Sequence, residues 1–152
     1  MFHVKLLIKP LSEKIGQEIP LPYYATAGAA AVDLHACIDQ PETIPGNGGQ
    51  VLIPTGLSVA IPAGHVGILA SRSSMGVRNG VGLSNGIGVI DSDYRGPIRV
   101  GLYNLRSTPY TVQPGDRIAQ LLVVPVARPE IEVVDALPET ERGTGGFGST
   151  GR

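Results

Sequence analysis

The chain has 152 residues, enough for one domain with a genuine core and too few for two. A formal net charge of −1 leaves no basic stripe to neutralise phosphates, which argues against a nucleic-acid polymer as partner. The single cysteine, Cys37, excludes an intrachain disulfide and a cysteine-based zinc cluster; a small buried hydrophobe is its expected role. Glycine (21) and proline (13) are scattered through short apolar runs and tryptophan is absent, a pattern that favours turn-rich β structure over helix bundles. No apolar run reaches membrane-spanning length and the N-terminus lacks a signal-peptide layout, so a soluble, cytoplasmic protein is expected.

Residues 4–9, VKLLIK, are predicted to form a strand closed by Pro10. Residues 19–24, IPLPYY, are extended and irregular, since each proline removes a donor and biases its predecessor away from helix. Residues 27–37, AGAAAVDLHAC, carry helical propensity in their alanines, which Gly28 and Val32 weaken. Residues 41–49 read as a loop, residues 51–53 and 57–61 as two short strands around Pro54-Thr55-Gly56, and residues 66–70 as another. Residues 71–80, SRSSMGVRNG, hold the one helix expected, short, capped by Ser73 or Ser74 and ended by Asn79-Gly80. Residues 98–105 alternate and extend, and residues 118–126 form an apolar strand broken only by Gln120 and Pro125. Beyond Pro138 the apolar pattern stops and a flexible, glycine-rich tail is expected.

Between helix and alternating strand lies VGLSNGIGVIDSDYRG, residues 81–96. Two short apolar runs turn at Asn85-Gly86, the strongest short-range signal for a β-hairpin. Gly82, Gly86 and Gly88 leave the backbone bare, so a flat ligand can approach its N–H and C=O groups. Asp91-Ser92-Asp93-Tyr94 follows; extended, it would send Asp91 and Asp93 to one side and Ser92 and Tyr94 to the other. The plain alternative is a glycine-rich hairpin ending in a polar turn.

Four further stretches carry polar chemistry, each with a plain alternative. Asp33 interrupts an apolar run, where an unpaired buried carboxylate is too costly; it must face water, a partner or the hydration shell of a metal. Arg72, Ser73 and Ser74 suit phosphate, through a planar guanidinium fork and hydroxyls at a helix start, or else form an exposed arginine beside a cap. Gln120 inside an apolar strand ordinarily satisfies a neighbouring backbone group. Residues 142–151, RGTGGFGSTG, combine closely spaced amides, two hydroxyls and Arg142, a phosphate-binding composition that is neither a Rossmann nor a Walker loop. Phe147 has no core to join in so polar a tail, which a merely disordered terminus would not explain.

In this order the motifs resemble those of the homotrimeric dUTP pyrophosphatases (dUTPases), and they cover residues 28–151. The departures are Ala31 where the family has glycine, and Ser71 and Ser74 in place of the outer residues of P-R-S-G. The resemblance makes residues 27–37 a strand and implies an all-β, jelly-roll-like domain at residues 1–138. It implies a flexible tail at residues 139–152 that closes over the site, and a homotrimer with three shared active sites. It implies hydrolysis of dUTP to dUMP and pyrophosphate, limiting dUTP and supplying dUMP for thymidylate synthesis, with Mg²⁺ on the triphosphate. By that resemblance Asp91 orients the attacking water as general base, Asn85 and the backbone near Gly88 read uracil, and Tyr94 packs on the deoxyribose. Arg72, Ser73, Ser74, Gln120, Arg142, Gly148, Ser149 and Thr150 address the phosphates, Phe147 stacks on uracil, and Asp33 holds waters around the magnesium. Arg117 matches a structural position and stays outside the site. A dCTP deaminase of related fold is disfavoured by the Phe-bearing tail; a catalytically silent nucleotide-binding module is disfavoured by Asp91 together with that tail.

Overall fold

The structure, a computed structural model, describes residues 4–148. Its strands are β1 (Leu7–Pro10), β2 (Val32–His35), β3 (Glu42–Ile44), β4 (Gly49–Ala60), β5 (His65–Ala70), β6 (Val81–Leu83), β7 (Gly88–Ile90), β8 (Pro97–Asn104), β9 (Tyr110–Val112) and β10 (Arg117–Pro125). One helical turn of π type, Ser74–Arg78, lies between β5 and β6. Two four-stranded antiparallel sheets, ordered β1-β4-β8-β6 and β2-β10-β5-β7, share one core, and β3 and β9 form a small ribbon. This is the all-β, jelly-roll-like arrangement expected.

Alternation builds the sheets. Along β8, Ile98, Val100, Leu102 and Asn104 are buried, while Pro97 and Arg99 are exposed. These inward residues meet Ile53 and Val59 of β4, and Leu34, Leu69 and Leu121 from the other sheet, in a single apolar cluster. Burying each such aliphatic side chain contributes about 1.5–3 kcal/mol, which is why period-two segments end as strands whatever their local propensity.

Several elements differ from expectation for identifiable reasons. The two strands predicted around Pro54-Thr55-Gly56 are one strand, β4, whose register against β8 slips between Pro54 and Ser58. Gly56 takes φ +70° there, and the buried Thr55 hydroxyl donates to the Ile98 carbonyl at 2.8 Å, so the segment is a bulge rather than a turn. Part of the predicted loop at 41–49 is β3, which exists only through its pairing with β9, three residues each, too short for a periodic signal. Of residues 27–37 only Val32–His35 is strand. Pro10 lies inside β1 rather than beyond it, tolerated because β1 is an edge.

The largest correction concerns Asn85-Gly86. It is a turn, but not of a hairpin, because β6 pairs with β8 and β7 pairs with β5. The chain here steps from one sheet to the other. Gly86 N–H donates to Leu83 O at 3.0 Å and Ile87 N–H to Asn85 O at 2.8 Å, with Gly86 at φ +72°. A second turn follows at once: Tyr94 N–H donates to Asp91 O at 3.2 Å, so the segment 91–94 is folded back and the side-to-side alternation of an extended chain does not apply. In the helical turn Ser73 is already helical (φ −56°, ψ −41°) and makes no capping bond, against expectation. Asn79 N–H does close the end, onto Met75 O and Gly76 O, followed by Gly80 at φ +69°.

Asn104 is fully buried at the end of β8. Its amide donates to Thr108 O (2.8 Å) and Ile44 O (3.4 Å), and its carbonyl oxygen accepts from Arg106 N–H (3.0 Å), tying β8, β3 and the turn before β9. Replacing it by alanine strands buried polar groups and should cost about 2–4 kcal/mol of unfolding free energy, measured as a lower urea midpoint.

Candidate active site

The step between the sheets walls one side of a cavity of about 220 Å³, lined by Asn85, Gly88, Asp91 and Tyr94 together with Leu69 and Arg99. Gly88 is required at its position. A β-carbon there would lie 2.9 Å from Leu69 Cβ on the paired strand, so a side chain would force β7 away from β5. Tyr94 is oriented by two contacts. Its hydroxyl donates to the Pro97 carbonyl at 3.1 Å, and its ring rests over Gly96, where a β-carbon would come within 2.6 Å of Cζ. Asp91 follows directly on β7, exposed and making no ion pair among the described residues. Asp93 does not line this cavity; it lies in an adjoining groove with His65 and Arg128, which Asp91 also borders. The folded-back turn therefore gives only Asp91 a place in the cavity, while both carboxylates border the adjoining groove.

A second polar group forms across β2, β10 and the segment after β5. Antiparallel pairing puts Gln120 opposite both Asp33 and Ala70. Arg72, two residues past β5, donates through Nε to Asp33 Oδ1 at 2.8 Å and through Nη1 to Ser74 Oγ at 3.4 Å. Arg117 reaches Asp33 Oδ2 at 3.4 Å, beside Arg72. Gln120 Nε2 donates to the Ser71 carbonyl at 3.0 Å, the backbone-satisfying role expected of a lone glutamine, with one amide hydrogen still to give. Burial holds the His35 imidazole below its usual value, with Arg117 and Arg72 acting in the same direction against Asp33. Two guanidinium groups therefore surround one carboxylate with a neutral imidazole beside them, a surplus of positive charge that suits an anion.

Ser73 is exposed at the start of the helical turn. Ser71 was singled out in the sequence only as a departure, yet its hydroxyl accepts from the Leu83 amide at 3.0 Å and its carbonyl from Gln120. Arg99 and Gly96 also escaped the sequence reading, because a charged residue in an alternating strand and a glycine after a turn look ordinary.

The structure does not bring every candidate together. The cavity at Asn85 is not lined by Arg72, Ser73 or Gln120. In the tail, Arg142 Nε donates locally to Gly145 O at 2.8 Å, Phe147 is fully exposed at φ +50°, and Gly148 takes φ +90°. Ser149 and Thr150 lie outside the described residues.

The sequence pattern of the dUTPase family matches residues 17–151. The deoxyuridine 5'-triphosphate nucleotidohydrolase of Glaesserella parasuis is 49% identical over 146 residues, spanning 95% of this chain and 96% of that protein. That of Pasteurella multocida is 48% identical over 149 residues, spanning 97% and 98%. Among solved structures, the Staphylococcus bacteriophage 80alpha dUTPase with dUPNHPP superposes with a TM-score of 0.84 at 26% identity, covering 97% of this chain and 99% of that one.

The packing of Tyr94 on Gly96 gives a direct structural expectation. Gly96→Ala should leave the two sheets intact and move the Tyr94 ring by roughly 1 Å, enough to restore an ordinary contact distance, as read from a crystal structure of the variant.

Proposed function

The chain belongs to the dUTPase family and hydrolyses dUTP to dUMP and pyrophosphate, and from that premise we propose how its residues divide the work. The observation that carries the assignment is that Asp91 shares one cavity with Asn85, Gly88 and Tyr94. A base held by the loop and a sugar held by Tyr94 would bring the 5'-phosphate chain toward that carboxylate.

Uracil presents a donor at N3 between two acceptors. The Asn85 side chain and the bare backbone around Gly86 and Gly88 complement that order, and cytosine, which reverses part of it, would leave buried groups unpaired. Tyr94, held by Gly96 and Pro97, takes the deoxyribose face and leaves no room for a 2'-hydroxyl. Asp91 accepts a proton from the water that attacks the α-phosphorus; the new P–O bond forms as the bond to the bridging oxygen breaks, and pyrophosphate leaves. Arg72, Ser73, Gln120 and Arg142 bind the triphosphate, Ser74 joins them while accepting from Arg72, and Gly148, Ser149 and Thr150 add amides and hydroxyls. Phe147 covers the uracil ring.

A magnesium ion fits this arrangement as a hydrated ion on the substrate. Among the described residues no three carboxylate, histidine or cysteine side chains converge, and Asp33 is a single carboxylate already accepting from two arginines. Asp33 would hold the ion through its waters, and the bound ion would neutralise charge on the phosphates.

The site is completed in a homotrimer. Supporting this, within one chain neither Arg72, Gln120 nor the described part of the tail lines the cavity at Asn85. Past β10, Ile131 and Val133 are almost wholly exposed at i, i+2 spacing, as befits a segment that lies against another chain. In this reading residues 1–138 form the β domain, residues 139–152 are a flexible tail that closes over bound substrate, and the enzyme works in the cytoplasm. No helix among the described residues is long and apolar enough to cross a membrane.

Three outcomes are expected. Pyrophosphate release should be far faster from dUTP than from dCTP, dTTP or UTP; comparable rates on dTTP or UTP would overturn the base and sugar assignments. Asp91→Asn should keep nucleotide binding while turnover falls by roughly two to four orders of magnitude, with Asp93→Asn much milder in the same assay. Finally, chains carrying Asp91→Asn and chains truncated after Glu141 should each be nearly inactive alone. Co-expressed in equal amounts, they should recover about a quarter of normal activity, since one half times one half of the sites draw both intact parts from different chains. No recovery in trimers shown by mass to be mixed would rule out sharing.

A further inference from the structure

We propose that Ser71 is a positioning residue that pins the base-binding loop through the Leu83 amide and thereby sharpens the preference for uracil. The inference rests on the loop at Asn85 being the base reader.

The geometry begins with strand alternation. β6 is the edge of its sheet. Gly80 O accepts from Leu105 N–H at 2.9 Å and Ser84 N–H donates to Gly101 O at 2.9 Å, so the even-numbered residues turn their backbone groups toward β8. The Leu83 amide therefore points away from the ladder. Leu83 is only 2% exposed, so that N–H has neither a strand partner nor water, and a buried amide left unpaired is costly. Ser71 Oγ takes it at 3.0 Å. Ser71 directly follows β5, a strand of the other sheet, so this one bond ties the exit of one sheet to the exit of the other.

Leu83 is also the residue whose carbonyl closes the turn, accepting from Gly86 N–H at 3.0 Å with Ser84 and Asn85 between them. Fixing the Leu83 amide thus fixes the peptide units from which Asn85 projects. Ser71 separates its duties cleanly: its carbonyl accepts from Gln120, and only its side chain holds the loop. On the far side of the turn, Gly88 and Ile90 are held by β5 through the Leu69↔Gly88 and Gly67↔Ile90 pairs, so Asp91 is anchored independently of Ser71. Losing the hydroxyl should loosen base reading and spare the chemical step. An alanine or proline at this position offers no oxygen to Leu83.

Ser71→Thr and Ser71→Val give the decisive pair, nearly equal in shape and different in the hydroxyl, with Ser71→Ala beside them. In the unsubstituted trimer the Leu83 amide should be protected from hydrogen exchange, and in the Val and Ala variants that protection should fall. For those two variants the ratio of kcat/KM on dUTP to that on dCTP should drop about ten-fold, the scale of one hydrogen bond, chiefly through a higher KM for dUTP with kcat within about two-fold. The Thr variant should keep both the protection and the ratio. An unprotected Leu83 amide in the unsubstituted protein overturns the proposal, and that measurement needs no substrate. An unchanged ratio in folded Val and Ala variants, an equal loss on both nucleotides, or a Thr variant matching Val also overturns it. If Ser71→Ala does not fold, the Thr and Val pair decides alone. A failure of the unsubstituted enzyme to prefer dUTP would instead overturn the reading of the loop as the base reader.

Discussion

β6 and β7 are separated by four residues yet pair into different sheets, and much of the site follows from that one crossing. Beyond Ser84, whose N–H still donates to Gly101 O, the segment between the sheets has no ladder, so its backbone groups are free to meet a ligand and must otherwise be satisfied one by one. Here the Leu83 carbonyl takes Gly86, the Asn85 carbonyl takes Ile87, and the Leu83 amide takes a side-chain oxygen. The loop is consequently tied by its own hydrogen bonds without being part of a sheet. That combination is what reading a base by its hydrogen-bond pattern requires, because a floppy loop would re-pair with the wrong base at little cost.

The same crossing explains the different environments of Asp91 and Asp93. β7 is three residues long and ends at Ile90, so the chain must reverse immediately to enter β8. The reversal, closed by the Tyr94 amide on the Asp91 carbonyl, leaves Asp91 at the cavity edge and carries Asp93 past it. Gly96 lets the hydroxyl end of the Tyr94 ring come close to the backbone beyond the turn. The loop, the carboxylate and the phenol are therefore set by one short stretch whose two ends are fixed in separate sheets.

Asp33 and Arg72 show how charge is accommodated beside that stretch. Their side chains retain 25% and 20% of their exposure, so both charges are largely desolvated and the pair adds little net stability. Its use is orientation: the carboxylate holds the guanidinium through Nε, which leaves the Nη2 edge for an anion. Arg117 on the other oxygen completes a positive rim around that carboxylate.

The sequence alone determined the all-β class, the position of the core strands and the identity of the motifs. Those depend on period-two burial, as in Ile98, Val100 and Leu102, and on residue chemistry at short spacing, as in residues 85–94. Tertiary structure decided what those local signals cannot carry. An Asn-Gly turn between apolar runs reads the same whether the runs pair with each other or with strands at either side, and only the sheet order distinguishes them. Arg117 and Ser71 gained partners 84 and 12 residues away, and β3 exists only because β9 lies beside it. Contacts of that kind depend on which surfaces the whole chain brings together, and neither local propensity nor periodicity records them.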